Sequence, residues 1–292
     1  MELTSPKIIK ELLVKYETRP SKGLGQNFLI DKNVLSKIIT ASNLKTTDVI
    51  LEVGPGLGTL TQELAKQAGQ VIAIEKDKIM IEILAETLSD FKNIQIIQGD
   101  VLKIENWDLK IEKYKLVANI PYYLTSPLIR KFLESENPPE EIILMLQKEV
   151  AQRICSKPPN MSLLAVSVQF YADTKIVSNV SKNCFWPAPK IDSAIIKITP
   201  RGQTSRPTGG LTSTNLFFKI VKAGFSQPRK QLAGNLLALS HAEGSKEFKL
   251  DKKEVNSWLL ENKINPTQRA ETLSVEEWIS LTKTFNNIKI NE

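Results

Sequence analysis

The chemistry legible in this chain starts from a glycine turn, two carboxylates and one tetrapeptide. In LEVGPGLGTLTQEL (51–64), Gly54, Gly56 and Gly58 stand between an apolar run and a helical pattern. The missing Cβ atoms allow a tight turn and close approach of a ligand. About 20 residues on, the next apolar run ends in Glu75, placed to accept hydrogen bonds from both hydroxyls of a ribose. A third run is followed by Gly99-Asp100, whose carboxylate can accept from the exocyclic amine of a purine. This spacing serves a dinucleotide or S-adenosylmethionine, and the same glycines would also serve plain helix–sheet packing.

The motif after the fourth apolar run separates the two ligands. Asn119-Ile120-Pro121-Tyr122 offers an amide oxygen and the Ile120 carbonyl as acceptors for one amine, with Tyr122 as a flat stacking surface. The fit is to adenine. Its N6 lone pair is delocalised into the ring, so the amine becomes nucleophilic only when its hydrogens are held out of the ring plane. Two acceptors would do this and align the lone pair with a sulfonium methyl carbon, so positioning and electrostatics lower the barrier without an imidazole base. The plainer alternative is a proline-stiffened loop with Tyr122 as ordinary core.

Composition removes other chemistries. Of 292 residues only His241 is a histidine and only Cys155 and Cys184 are cysteines, too few for multi-histidine catalysis, a disulfide scaffold or a cysteine-rich zinc site, so no metal is expected. With 41% hydrophobic and 24% charged residues, the chain reads as one large domain plus a small one. There is no apolar run long enough for a membrane span, and the N-terminal MELTSPKIIKELL carries Lys and Glu where a signal peptide needs an apolar stretch. A cytoplasmic protein without a membrane partner is expected. No heptad or long exposed strand points to a dimer, so a monomer is expected.

The elements that must position these residues follow from periodicity. DVILEV (48–53), QVIAIE (70–75), NIQIIQ (93–98), KLVAN (115–119) and EIILMLQ (141–147) read as buried parallel strands. Helical spacing runs over Leu60–Ala68, Lys78–Leu88 and Pro127–Leu133, the last with Ser126 as cap and Pro127 at the first helical position. An apolar helix, Leu163–Tyr171, precedes DTKIVSNV and DSAIIKITP, whose alternation predicts antiparallel strands extending the same sheet. PRGQTSRPTGG (200–210) reads as a linker, and NLFFKIVKAGF, LAGNLLAL, EVNSWLLE and VEEWISLTKTF as a helical domain. The expected division is an N-terminal basic segment 1–30, a doubly wound α/β body 31–200, a linker 201–210 and a helical domain 211–292.

Charge follows the same division. Residues 31–200 hold 20 Lys and Arg against 20 Asp and Glu, residues 1–30 hold 5 against 3, and residues 201–292 hold 14 against 9. The net +7 therefore sits in the flanks, which suits a neutral catalytic body flanked by segments that meet a polyanion.

Between residues 22 and 200 the sequence resembles the ribosomal RNA adenine-N6 dimethyltransferases. The likeness is carried by GLGQNFLID (23–31), LEVGPGLGTLT (51–61), IEKD (74–77), QGD (98–100), NIPYYLTSPLI (119–129), LQKEVAQR (146–153) and FWPAPKIDSAI (185–195), and FSQPRKQLAGNL (225–236) extends it into the helical region. It implies a Rossmann-like class I S-adenosylmethionine-dependent methyltransferase fold with a small C-terminal all-helical domain. Within the family it is most like the bacterial type that dimethylates two adjacent adenines in the 3′-terminal hairpin of 16S ribosomal RNA during small-subunit biogenesis.

By resemblance, Asn27 and Leu29 close over S-adenosylmethionine, Gly54 and Gly56 hold its methionine moiety, Glu75 its ribose and Asp100 its adenine amine. Asn119, Ile120, Pro121 and Tyr122 face the target base, and Phe185 stacks on the other side of the flipped adenine. Lys148, Arg153, Lys222, Arg229 and Lys230 are candidate RNA phosphate contacts. Tyr123 follows the tetrapeptide where many relatives have Asn, which bears only on substrate fine-tuning. Three rival readings remain: a macrolide-resistance-type 23S RNA methyltransferase, opposed by GPGLG, the proline of LTSPLI and FSQPRKQL; a non-catalytic ribosome-assembly or transcription factor; and a nicotinamide dehydrogenase.

Overall fold

The protein is described from a computed structural model that covers residues 1–104, 111–201, 211–237 and 250–288. Its elements in chain order are α1 (Pro6–Lys15), β1 (Phe28–Leu29), α2 (Lys32–Ser42), β2 (Val49–Val53), α3 (Thr59–Ala65), β3 (Gln70–Glu75), α4 (Lys78–Thr87), β4 (Ile94–Gln98), β5 (Lys115–Asn119), α5 (Thr125–Glu134), β6 (Glu141–Gln147), α6 (Lys148–Ile154), α7 (Leu163–Gln169), β7 (Ala172–Val180), β8 (Phe185–Trp186), β9 (Ser193–Pro200), α8 (Leu211–Gly224), α9 (Leu232–Leu237), α10 (Lys252–Glu261) and α11 (Val275–Ile288). Two compact units emerge, Met1–Gln152 with Ala172–Pro200, and Arg153–Tyr171 with Arg201–Glu292.

The first unit is built on a seven-stranded sheet ordered β4-β3-β2-β5-β6-β9-β7. The five Ile-, Val- and Leu-rich runs pair in parallel, and the two alternating runs add antiparallel to β6 as β9 and then β7. The order in which successive parallel strands are added reverses between β2 and β5. That is the switch point outside whose strand ends an open α/β sheet binds ligands.

Helix boundaries have local causes. Asp31 caps α2 by accepting from Asn33 N and Val34 N, and Asp77 caps α4 by accepting from Ile79 N. Lys115, almost wholly buried on β5, donates to the Ser42 and Asn43 carbonyls at the far end of α2 and pairs with Asp48 at 2.8 Å. The α5 expectation needs correction. The helix begins at Thr125 with no side-chain cap, because a 3-10 turn over Tyr122–Leu124 runs straight into it, so Ser126 and Pro127 fall inside its first turn. The N-terminal segment is fastened into this unit: Ile9, Leu12 and Leu13 of α1 share a core with Phe28, Leu57, Met80 and Ile83, and Tyr16 Oη donates to Glu86 at 2.6 Å.

In the second unit α7 groups with α8–α11, although its sequence position lies inside the expected body over 31–200. The reason is aromatic. Phe170, just after α7, stacks on Phe217 of α8 at 4.2 Å between ring centroids, and Tyr171 stacks on Phe218. Trp258 and Trp278 are buried in the same unit, and a side chain on Gly224 would collide with the Trp278 ring. The linker expected over 201–210 and the lone His241 lie outside the described residues, save for Arg201.

Candidate active site

Outside the carboxyl ends of β2, β3, β4 and β5 lies a cavity of about 260 Å³. The structure brings to it Asn27, Leu29, Gly54, Gly56, Glu75, Asp100, Asn119, Ile120, Pro121, Tyr122 and Phe185, all of the cofactor and base positions expected from sequence. Gly54 and Gly56 hold left-handed backbone, with φ of 68° and 59°, which disfavours any L side chain there. A Cβ on Gly56 would also lie 3.4 Å from the Phe28 ring. Gly58 is left-handed too, with φ of 90°, but it makes room for Leu84 and Leu88, so it also serves helix–helix packing.

The carboxylates are held by different means. Glu75 is buried at the end of β3, where Oε1 accepts from Lys76 N at 2.8 Å and Asp77 N at 2.9 Å and Oε2 accepts from Gly56 N at 3.1 Å. Burial pushes its pKa up, and the three backbone N–H groups oppose that shift. Asp100 is the converse. Lys76 Nζ, 3.0 Å from Oδ2, holds its carboxyl below the usual range, and Oδ1 accepts from Leu102 N.

Sequence reading passed over Glu52 on β2. It lines the cavity, is 1% exposed, and its Oε2 has no hydrogen-bond partner among the described residues. Burial pushes its pKa up to about 8, with the Thr61 hydroxyl opposing. The available signal was a charge in the middle of the apolar run VILEV.

Over the cavity runs the 21–29 segment. Gln26 donates to Asp77 Oδ2 at 2.9 Å and accepts from Ser21 N at 2.8 Å, tying the loop to the start of α4. Asn27 donates to Gly25 O at 3.1 Å. Leu29 pairs with Phe185 across β1 and β8, and both belong to the core formed with α2 and α3, so they make an apolar wall. On the β5 side, neither the Asn119 amide nor the Ile120 carbonyl is engaged by another described residue. Tyr122 is half-buried and Tyr123 is 53% exposed.

The RNA candidates divide between units. Lys148 belongs to the first and is half-buried, whereas Arg153, Lys222, Arg229 and Lys230 belong to the second and are exposed. Asn235, itself buried, donates to Gly224 O and Gln227 O and so braces the turn that carries Arg229 and Lys230. No cluster of three or more metal-ligating side chains exists among the described residues, and no described helix is long and apolar enough to cross a membrane.

A doubly wound sheet with a glycine turn after β2, carboxylates at the ends of β3 and β4, and Asn119-Ile120-Pro121-Tyr122 after β5 has the fold of the class I S-adenosylmethionine-dependent methyltransferases. Two solved structures share the fold over 89% of this chain: a dimethyladenosine transferase from Plasmodium falciparum (29% identity, TM-score 0.74, 98% of that chain) and the 23S rRNA methyltransferase ErmE (26%, 0.72, 100% of that chain). Residues 17–287 match the ribosomal RNA adenine dimethylase family, and the chain belongs to it. A relative from Dehalococcoides mccartyi, a ribosomal RNA small subunit methyltransferase A, is 44% identical over 274 residues, 93% of this chain and 90% of that protein.

Proposed function

We propose that this protein dimethylates N6 of two adjacent adenines in the 3′-terminal hairpin of 16S ribosomal RNA, with S-adenosylmethionine as methyl donor. The observation that carries the reading is the pair of acceptors unengaged among the described residues, the Asn119 amide and the Ile120 carbonyl, beside Tyr122 and at the edge of a cavity built for a nucleoside. Likeness to small-subunit enzymes at 44% identity, against 26% to a 23S enzyme, supports the small subunit as partner.

The residues present fit the cofactor. The Glu52 oxygen that has no partner among the described residues suits an ammonium group, the Gly54–Gly56 backbone a methionine chain that no Cβ obstructs, Glu75 the two ribose hydroxyls and Asp100 an adenine amine. When bound, S-adenosylmethionine supplies an electrophilic methyl carbon on its sulfonium. The chain's own work is orientation. Asn119 Oδ1 and the Ile120 carbonyl accept the two N6 hydrogens of the flipped adenine, the Tyr122 and Phe185 rings flank the base, and Leu29 and Asn27 exclude water from the cofactor side.

In this reading residues 1–30 close the cofactor cavity, the rest of the first unit performs the transfer with Lys148 on a phosphate, and the second unit docks on the subunit with Arg153, Lys222, Arg229 and Lys230 on phosphates. The protein works as a monomer in the cytoplasm. The test is transfer of labelled methyl from S-adenosylmethionine to undermethylated 30S particles, followed by nuclease digestion and mass analysis. Dimethyladenosine in the 16S hairpin is expected; label confined to 23S RNA, or none, overturns the proposal.

A further inference from the structure

Tyr122 is gripped at both ends. Its carbonyl accepts from Thr125 Oγ1 at 3.0 Å, and its phenol oxygen lies 2.9 Å from Ser193 Oγ. The backbone grip sets where the Cα sits, and a single 3-10 turn leaves the ring free to pivot about its side-chain torsions. The second grip removes that freedom.

Ser193 is well placed to impose it. It is the first residue of β9, is wholly buried, and faces Gln147 of β6 on one side and Val180 of β7 on the other. Its neighbour Asp192 pins the same corner, accepting Lys148 N at its carbonyl (3.1 Å) and Lys182 N at its carboxylate (3.0 Å). A hydroxyl carried on a strand bonded along both edges cannot follow a moving ring, so the ring is set by the sheet.

We propose that Ser193 is a positioning residue for methyl transfer: acting through the Tyr122 hydroxyl, it fixes the ring plane that presents the target adenine to Asn119 and Ile120. This rests on the role given to Tyr122 above. The stretch 185–193 then serves both faces of the base, one through the Phe185 ring and the other through the Ser193 hydroxyl. Sub-ångström alignment of reacting groups is where catalysis is most sensitive to small displacements.

The experiment measures kcat and both KM values on undermethylated 30S particles for Ser193→Ala, Tyr122→Phe, the double variant and Tyr122→Ala. Loss of one partly buried hydrogen bond is expected to lower kcat by about five- to tenfold in each of the first two, with the cofactor KM unchanged. The double variant is expected to be no slower than either single one, because both remove the same bond. Parental kcat in Ser193→Ala or in Tyr122→Phe overturns the proposal, as does a double loss equal to the product of the single losses or a rise in cofactor KM that accounts for the whole effect. Should Ser193→Ala fail to fold, Tyr122→Phe decides alone, since it breaks the bond from the cavity side. Parental turnover in Tyr122→Ala instead overturns the underlying role of Tyr122.

Discussion

Among the described residues, the half of the cavity lined by the ends of β2, β3 and β4 carries three carboxylates, Glu52, Glu75 and Asp100, whereas the half lined by β5, the turn after it and Phe185 carries none. The charged half is largely satisfied in advance: Glu75 accepts three backbone N–H groups, and Asp100 accepts from Leu102 N and Lys76. The neutral half leaves the Asn119 amide and the Ile120 carbonyl unengaged among the described residues. The contrast matches the ligands each half is asked to hold. Hydroxyls and an ammonium gain most from anionic acceptors, which must be stabilised when buried. An adenine amine attacks as a neutral nucleophile, and two neutral oxygens can hold its hydrogens out of the ring plane.

The largest expected effect breaks the neutral half. Asn119→Ala should slow methyl transfer by about 100-fold or more while leaving cofactor affinity nearly intact, in line with loss of one preorganised acceptor. Single-turnover kinetics beside a cofactor titration would check both, and an unchanged rate removes Asn119 from the mechanism. Glu75→Ala acts on the other half. It removes charge-assisted bonds worth about 1.5 to 3 kcal/mol, so cofactor affinity should fall by about 10- to 100-fold, as read by calorimetry. A variant that binds as tightly as the parent would reassign this carboxylate to structure.

Glu52 sharpens the comparison through pH. Its folded-state pKa of about 8 lies above the ordinary 4.5, so the folded protein retains a proton that the unfolded chain releases. Stability therefore falls as pH rises from about 4.5 through 8, and Glu52→Gln should flatten that fall in thermal melts of the protein without cofactor. Affinity for a cofactor bearing an ammonium group should rise by a few fold over the same approach to pH 8, as Glu52 ionises, and the Gln variant should lose this rise. A parent whose affinity ignores pH between 6 and 8.5 would remove Glu52 from cofactor binding; ~6 and ~8.5 bracket the titration.

The smallest effect lies outside the cavity. Replacing Arg229 and Lys230 with Ala should reduce the slope of RNA affinity against salt by about 2 and leave the cofactor titration unmoved. Filter binding over a salt series would show it, and an unchanged slope would return both residues to ordinary solvated charge.

Much of this was legible in the chain because it is local. Each apolar run of five or six residues makes a strand of the parallel sheet, although β4 at the sheet edge is not fully buried; Glu75 and Asn119 end such runs, and Gly54 and Asp100 follow them within two residues. The Ser126-Pro127 pair shows how a local signal fails: a sound start for a helix in isolation, it was overridden by the turn over Tyr122–Leu124. The segment 153–171 misled in another way, since its helix reads as part of the α/β body until Phe170 and Tyr171 meet Phe217 and Phe218.

Sequence alone determined the parallel strands, the glycine turn and the types of acceptor at each strand end, because periodicity, backbone freedom and side-chain chemistry reside in neighbouring residues. Tertiary structure decided which of these groups were left with unsatisfied capacity. That Glu52 keeps an oxygen unpartnered among the described residues, that Lys76 reaches Asp100, and that Ser193 meets Tyr122 across 71 residues depend on strand order and on β9 entering the sheet beside β6. Hydrogen-bond satisfaction is a property of the assembled neighbourhood, and no short window of sequence contains that neighbourhood.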